Sequence, residues 1–186
     1  MIFHDRRNSN YHIFTGGPGS GKTTVLDLLK GMGYFTVPES GRDIIRNQTA
    51  TGGDAVPWAN PCRYADLMLL HGIVDFEEFI HVGKPCFFDR GIPDVLGYSR
   101  LARLPISPAL LEAAQKYRYN GNVFIFPFWE EIYITDSERK QDTGEAERTY
   151  HAVRCAYEEL GYRVVDVPCL PPDLRARWIV DHIDRA

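Results

Sequence analysis

"FTGGPGSGKTT", residues Phe14 to Thr24, places Gly16, four residues, then Gly21, Lys22 and Thr23 in the pattern G-x-x-x-x-G-K-[ST]. A short apolar run at 11–15 precedes it, and Val25, Leu26, Leu28 and Leu29 supply a packing face after it. The stretch therefore predicts strand, loop, helix, which is the context a phosphate-binding loop requires. Its chemistry follows from backbone geometry. The glycines let successive N–H groups turn inward around phosphate oxygens, and the helix start adds its dipole. The segment Gly16, Gly17, Pro18, Gly19, Ser20, Gly21, Lys22, Thr23 and Thr24 is thus the expected nucleotide cradle. Lys22 would reach the β- and γ-phosphates, and Thr23 would ligate Mg²⁺. No Asn/Thr-Lys-x-Asp sequence for guanine is present, which favours ATP as the nucleotide.

Outward from the loop, further strands are predicted at 33–37, in "KPCFFDR", in "GNVFIFPF" and in "GYRVVDVP". Helical patterns fall near 40–46, 61–81, 92–103, 107–117, 145–160 and 172–185. Asn60 and Pro61 suit the cap and first position of the second of these. Its expected packing face is Tyr64, Leu67, Met68, His71, Val74 and Ile80, and in the last helix Leu174, Trp178, Ile179, His182 and Ile183. Alternating strands and helices predict a three-layer α/β fold with a doubly wound, parallel five-stranded sheet. The chain of 186 residues is read as one P-loop NTPase domain spanning 1–186.

Composition narrows the class. With 44% apolar and 25% charged residues the chain reads as globular, and a net charge of −4 argues against sequence-independent nucleic-acid binding. The polar start "MIFHDRRNSN" is not a signal peptide, and no run approaches the ~20 apolar residues of a membrane span. A cytoplasmic location is the expectation. Cys62, Cys86, Cys155 and Cys169 are irregularly spaced without a zinc pattern, and are expected to be reduced and mostly buried.

In a doubly wound sheet ligands lie beyond the carboxyl ends of the strands, so charges there are the site candidates. Asp89 and Arg90 end the third strand: the carboxylate suits Mg²⁺ or an attacking hydroxyl, the guanidinium a phosphate or anionic substrate. Glu39 and Arg42 follow the second strand in "VPESGR". Glu39 is a candidate acceptor ligand or general base, and also a favourable charge at a helix start. Arg42 either contacts substrate or pairs with Glu39. Asp94 in "RGIPD" is a substrate contact or a helix-start residue, and Trp58 covers a substrate ring or packs in a loop.

"DSERKQDTGEAER" is the remaining charge-dense segment. On one unbroken helix Arg139 and Arg148, nine positions apart at ~100° each, would face opposite ways. Asp142, Thr143 and Gly144 supply a break, with Asp142 and Glu145 resembling a capping box, after which Ala146, Tyr150, Val153, Tyr157 and Leu160 face the core. The expectation is a lid at about 136–148 that closes Arg139 and Arg148 over the γ-phosphate, the alternative being a solvated helical hairpin.

In order, "GGPGSGKTT", "VPESGR", "FFDRGIPD", "DSERKQDTGEAER" and "LGYRVVDVP" resemble the P-loop kinase-like AAA-domain family of small predicted ATPases and kinases, related to ribosylnicotinamide kinase domains. The resemblance covers most of the chain. The "PE" and "DR" elements are also similar to those of deoxynucleoside kinases, which implies Glu39 as base and Arg90 on phosphate. Similarity to nucleotide monophosphate kinases implies instead that Asp89 stands near Mg²⁺. No added helical domain or inter-subunit arginine finger of a ring motor is visible in the sequence.

The residues favour an ATP- and Mg²⁺-dependent kinase that phosphorylates a small, nucleoside-like molecule, with Lys22, Glu39, Asp89, Arg139 and Arg148 catalytic. Expected substrate contacts are Glu39, Arg42, Arg90 and Asp94, and expected metal ligands are Thr23 and Asp89. The expected partner is a small-molecule acceptor, with no nucleic acid or membrane, and a homodimer is left open. Alternatives are an ATPase with water as acceptor and a nucleotide-dependent binding switch.

Overall fold

The computed structural model describes residues 6–129 and 143–184. Five strands, β2 (Tyr11–Gly16), β3 (Phe35–Val37), β4 (Cys86–Asp89), β6 (Asn122–Phe126) and β7 (Arg163–Asp166), form one parallel sheet in the order β3-β4-β2-β6-β7. From β2 the chain passes to the edge strand β3, returns to β4 beside β2, and then crosses to the other side of β2 for β6 and β7. The reversal at β2 puts its carboxyl end at the switch point where a ligand crevice opens.

Register fixes what meets there. Phe14 is level with Asp89 on one side and Phe124 on the other, so the carboxylate that ends β4 sits beside the start of the phosphate loop.

Both sheet faces are covered. Ile13 and Phe88 point into one core with Leu69, Phe76, Leu96 and Tyr157, beneath α3 (Pro61–Glu78), α4 (Ile92–Leu101) and α6 (Thr143–Glu159). Phe14 and Phe87 point into the other with Val25, Leu29 and Ile179, beneath α1 (Lys22–Gly31) and α7 (Pro172–Ile183). Period-two alternation along strands apolar on both sides gives the three layers expected. The remaining helices are α2 (Ser40–Thr51) and α5 (Pro108–Lys116).

As anticipated, the Asn60 side chain accepts from Arg63 N at 3.2 Å, with Pro61 at the first helical position of α3. The packing faces need correction. On α3, Tyr64 and Met68 pack as expected, but Val74 is exposed, Ile80 lies exposed beyond the helix end at Glu78, and Ala65, Leu69 and Phe76 enter the core. On α7, Leu174 is exposed, and the buried stripe is Arg175, Ala176 and Ile179, with Trp178 half-buried against the core. On α6 Ala146, Val153 and Tyr157 are buried as expected, and Ala156 joins them. The cysteines are free, but only Cys86 is buried; the other three lie on outward helix or loop positions.

A second, two-stranded sheet pairs β1 (Arg6–Arg7) with β5 (Tyr117–Arg118), an element with no apolar alternation to announce it. No helix among the described residues is long and apolar enough to cross a membrane.

Candidate active site

The phosphate loop joins β2 to α1 and is held by its neighbours as much as by itself. Gly16 has φ 130, and a Cβ on it would lie 2.3 Å from the Phe126 carbonyl oxygen. A Cβ on Gly17 would lie 2.4 Å from the Ala146 carbonyl oxygen, at the start of α6. Both contacts are with backbone, so no side-chain rotation relieves them. Gly21 caps α1 without a side-chain hydrogen bond, which leaves the first-turn N–H groups for an anion.

Lys22 is 6% exposed and donates to Gly17 O at 3.0 Å and Ser20 Oγ at 3.3 Å. Burial and the nearby Arg90 cation lower its pKa to about 8, against the opposing pull of Asp89, Glu39 and Asp94. The lysine thus rests on carbonyl and hydroxyl oxygens and gains most from a phosphate that replaces them.

Thr23 Oγ1 donates to Asp89 Oδ2 at 3.3 Å, while Asp89 Oδ1 is buried with no hydrogen-bond partner. Desolvation raises the Asp89 carboxyl pKa; Lys22 opposes this and Glu39 reinforces it. A hydroxyl beside a carboxylate with one buried, unsatisfied oxygen is a donor set that fits a hard divalent cation such as Mg²⁺.

Arg90 organises the opposite wall. It takes the left-handed conformation, φ 75, directly after β4, and its backbone N–H donates to Phe14 O at 2.8 Å. Its Nε donates to Glu39 Oε1 at 3.1 Å; its Nη1 donates to Asp94 Oδ1 at 3.1 Å and Gly16 O at 3.2 Å. Burial disfavours the Glu39 anion, but Arg90, Lys22 and Arg42 outweigh it and hold the carboxyl below its ordinary value. Of the two alternatives for Asp94, the helix-start role is seen: it accepts Gly91 N at 2.9 Å at the start of α4, and its side chain also lines the cavity. It further accepts Thr15 Oγ1 at 2.5 Å and Tyr157 Oη at 2.6 Å. Four donors, one from β2, two from the β4–α4 turn and one from α6, converge on this one buried carboxylate, which fixes Arg90 and through it Glu39.

These groups open on a cavity of about 1250 Å³. The phosphate loop, Glu39, Arg42, Asp89, Arg90, Asp94, Trp58 and Arg148 all line it. Trp58 is 72% exposed, which places it on the rim rather than in a core. Arg42 is paired with no carboxylate among the described residues, Glu39 having gone to Arg90. Arg139, Asp142 and most of the expected lid lie outside the described residues. Asp166, at the end of β7, is bound by Arg154 and Tyr150.

Two contributors were missed in the sequence. Arg175 of α7 is buried, donates from Nη1 to Ser20 O at 3.0 Å, and lies over the Phe126 and Trp129 rings at 5.8 and 5.6 Å. Its signal was a charge four residues before Ile179 on the buried stripe. The other is the far half of the cavity, lined by Tyr64, Met68, Gly72 and Asp75 of α3 with Phe88, Tyr98 and Tyr119. Its signal was a glycine and an aspartate interrupting the apolar stripe of α3.

The family model described as AAA domain matches residues 11–177, from the first residue of β2 into α7. The chain belongs to this AAA-domain family. Its match spans every strand of the main sheet and every residue discussed at the site. Among curated proteins no sequence matches. Among solved structures, the chain is similar to a deoxyadenosine kinase from M. mycoides with products bound, at 12% identity and TM-score 0.68, covering 95% of this chain and 100% of that one. It is similar to the NadR protein in complex with NR, at 17% identity and TM-score 0.70, covering 95% of this chain but 51% of that one. A shikimate kinase from Acinetobacter baumannii in complex with shikimate is 16% identical, at TM-score 0.54, over 94% and 93%. The AAA-domain chain therefore has the fold of P-loop small-molecule kinases, with the expected parallel five-stranded sheet.

Proposed function

We propose that the protein is an ATP- and Mg²⁺-dependent kinase that transfers the γ-phosphate to a hydroxyl of a small, nucleoside-like acceptor. The observation that carries this is the continuity of one cavity from the phosphate loop past Glu39 to a second half walled by tyrosines. An ATPase needs room only for water at that end. The fold shared with kinases of small molecules supports the same reading.

The loop N–H groups and Lys22 hold the β- and γ-phosphates. Thr23 and Asp89 are the residues that would hold Mg²⁺, which when bound supplies charge neutralisation between the phosphates. That duty occupies Asp89 and leaves Glu39 as the carboxylate for the acceptor. Glu39 accepts a hydrogen bond from the acceptor hydroxyl and takes its proton as the oxygen bonds to the γ-phosphorus. The bond to the β–γ bridging oxygen breaks, and its electron pair leaves with ADP. A carboxylate of lowered basicity suffices because in a loose transition state the proton leaves late. Arg90 orients Glu39, Arg42 stands at the acceptor rim, and Arg148 with Arg139 would stabilise charge on the moving phosphoryl group. The cytoplasm, where ATP and Mg²⁺ are plentiful, is the proposed location.

Incubation with γ-labelled ATP, Mg²⁺ and a metabolite pool, followed by mass spectrometry, should yield a phosphorylated small molecule. Label appearing only in free phosphate across a broad pool would overturn the kinase reading.

A further inference from the structure

On α3, residues 64, 68, 72 and 75 fall within ~80° of one another on the helix, and all four line the cavity. At a rise of ~1.5 Å per residue, Tyr64 and Asp75 are about 16 Å apart along the axis. The acceptor half is thus a slot running away from Glu39. Its walls are aromatic: Tyr64 packs edge-on to Tyr98 at 5.4 Å and Phe88 to Tyr119 at 5.7 Å. Such walls suit a flat ring.

At the far end stands one carboxylate. Asp75 is partly buried, and among the described residues nothing hydrogen-bonds to it or pairs with it within ion-pair distance. Its charged neighbours are His71 one turn earlier and Glu78, and its field reaches Tyr119. Burial raises its pKa, with His71 opposing, so the carboxylate lacks full compensation until something donates to it. A carboxylate in an aromatic slot accepts hydrogen bonds and repels carbonyl oxygens.

We infer that Asp75 is a specificity-determining residue that accepts a hydrogen bond from an exocyclic amino group on the acceptor's ring, selecting amino-bearing heterocycles over their keto counterparts. This deepens the kinase reading above and rests on it. The amino group enters the slot first, the ring lies between the tyrosines, and the hydroxyl to be phosphorylated trails at Glu39.

The test uses the full chain with MgATP and two matched pairs, deoxycytidine against deoxyuridine and deoxyadenosine against deoxyinosine. The wild type should prefer the amino member of at least one pair by about tenfold or more in kcat/KM, since a keto oxygen leaves the partly buried carboxylate unpaired. Asp75→Asn offers an amide that donates as well as accepts, so the preference should fall below about threefold or invert toward the keto member. Asp75→Glu keeps the acceptor and should keep the direction of preference. ATP affinity of each variant reports whether it is folded. Turnover without amino preference, or a preference unchanged in Asp75→Asn, overturns the assignment while leaving the kinase intact. If no pair reacts, the product recovered from the metabolite pool takes its place, and one without an amino group likewise overturns the assignment. Absence of any phosphorylated product in either arm breaks the kinase reading itself.

Discussion

The two halves of the cavity are built from different materials. The proposed donor half is mostly backbone: nine contiguous residues, Gly16 to Thr24, of which Gly16 and Gly17 meet the Phe126 and Ala146 carbonyls too closely for any side chain. The acceptor half is side chain: Glu39 before α2, Tyr64 and Asp75 on α3, Arg90 after β4, Tyr98 on α4, and Tyr119 beyond β5. Phosphate is the same in every nucleotide, so a fixed arrangement of N–H groups can recognise it. An acceptor is particular, and its recognition is spread over elements that sequence distance does not connect. The donor half should therefore fail all at once when Lys22 is removed, and the acceptor half residue by residue.

The largest effect is expected at Lys22. Lys22→Ala removes the loop's own cation while leaving Arg90 and Arg175 on the Gly16 and Ser20 carbonyls, and transfer should fall by at least about 10³-fold with labelled ATP. Comparable transfer by this variant would mean that the loop backbone alone suffices.

Glu39→Gln sits on the other side of the divide. It keeps the side-chain shape beside Arg90 but removes the proton acceptor, so transfer should fall by about 10²-fold while ATP affinity moves little. A wild-type rate of transfer would remove Glu39 from the role of base and return attention to Asp89.

Gly17→Ala tests whether the donor half is held from outside. The new methyl group would meet the Ala146 carbonyl at 2.4 Å, so either the loop or the start of α6 must move. A displacement on the scale of ~1 Å should weaken transfer by up to about 10²-fold, with ATP affinity falling alongside, unlike Glu39→Gln. Intact ATP affinity would show that the contact with α6 is slack.

The same divide governs what could be read from the sequence. The sheet, its five strands and the helices between them followed from apolar runs, glycines and caps, because those signals are local. The strand-end charges Glu39, Asp89, Arg90 and Asp94 were legible because parallel topology sends strand ends to the ligand edge. That Glu39 pairs with Arg90 rather than Arg42 was not legible, since Arg90 is 51 residues away in sequence and reaches Glu39 only because β3 and β4 are neighbours in the sheet. The pole at Asp75 was hidden for another reason. Of the expected stripe Tyr64 and Met68 do pack, but its continuation at Val74 and Ile80 faces solvent, Ile80 beyond the helix end, and that stripe did not include Asp75. Arg175 was hidden because a one-residue shift of the α7 stripe exchanges exposed Leu174 for a buried cation.

The smallest effect expected is a pH dependence confined to the donor half. With its pKa lowered to about 8, Lys22 is mostly protonated at pH 7 and mostly neutral at pH 9 before nucleotide binds. A triphosphate favours the ammonium form and raises its pKa, so binding takes up protons near pH 8 and weakens as pH rises above it. Affinity for ATP should be level from about pH 7 to 7.5, then fall with a slope approaching tenfold per pH unit above about pH 8.5 until the pKa of the bound form is reached. Calorimetry in two buffers of different ionisation enthalpy at pH 8 should report net proton uptake of a fraction of one per nucleotide, and Lys22→Met should abolish it. Glu39, whose carboxyl Arg90 holds below its ordinary value, adds no slope there. An affinity flat through pH 9.5, or uptake that survives in Lys22→Met, would place the titrating group outside the phosphate loop and blur the line between the two halves.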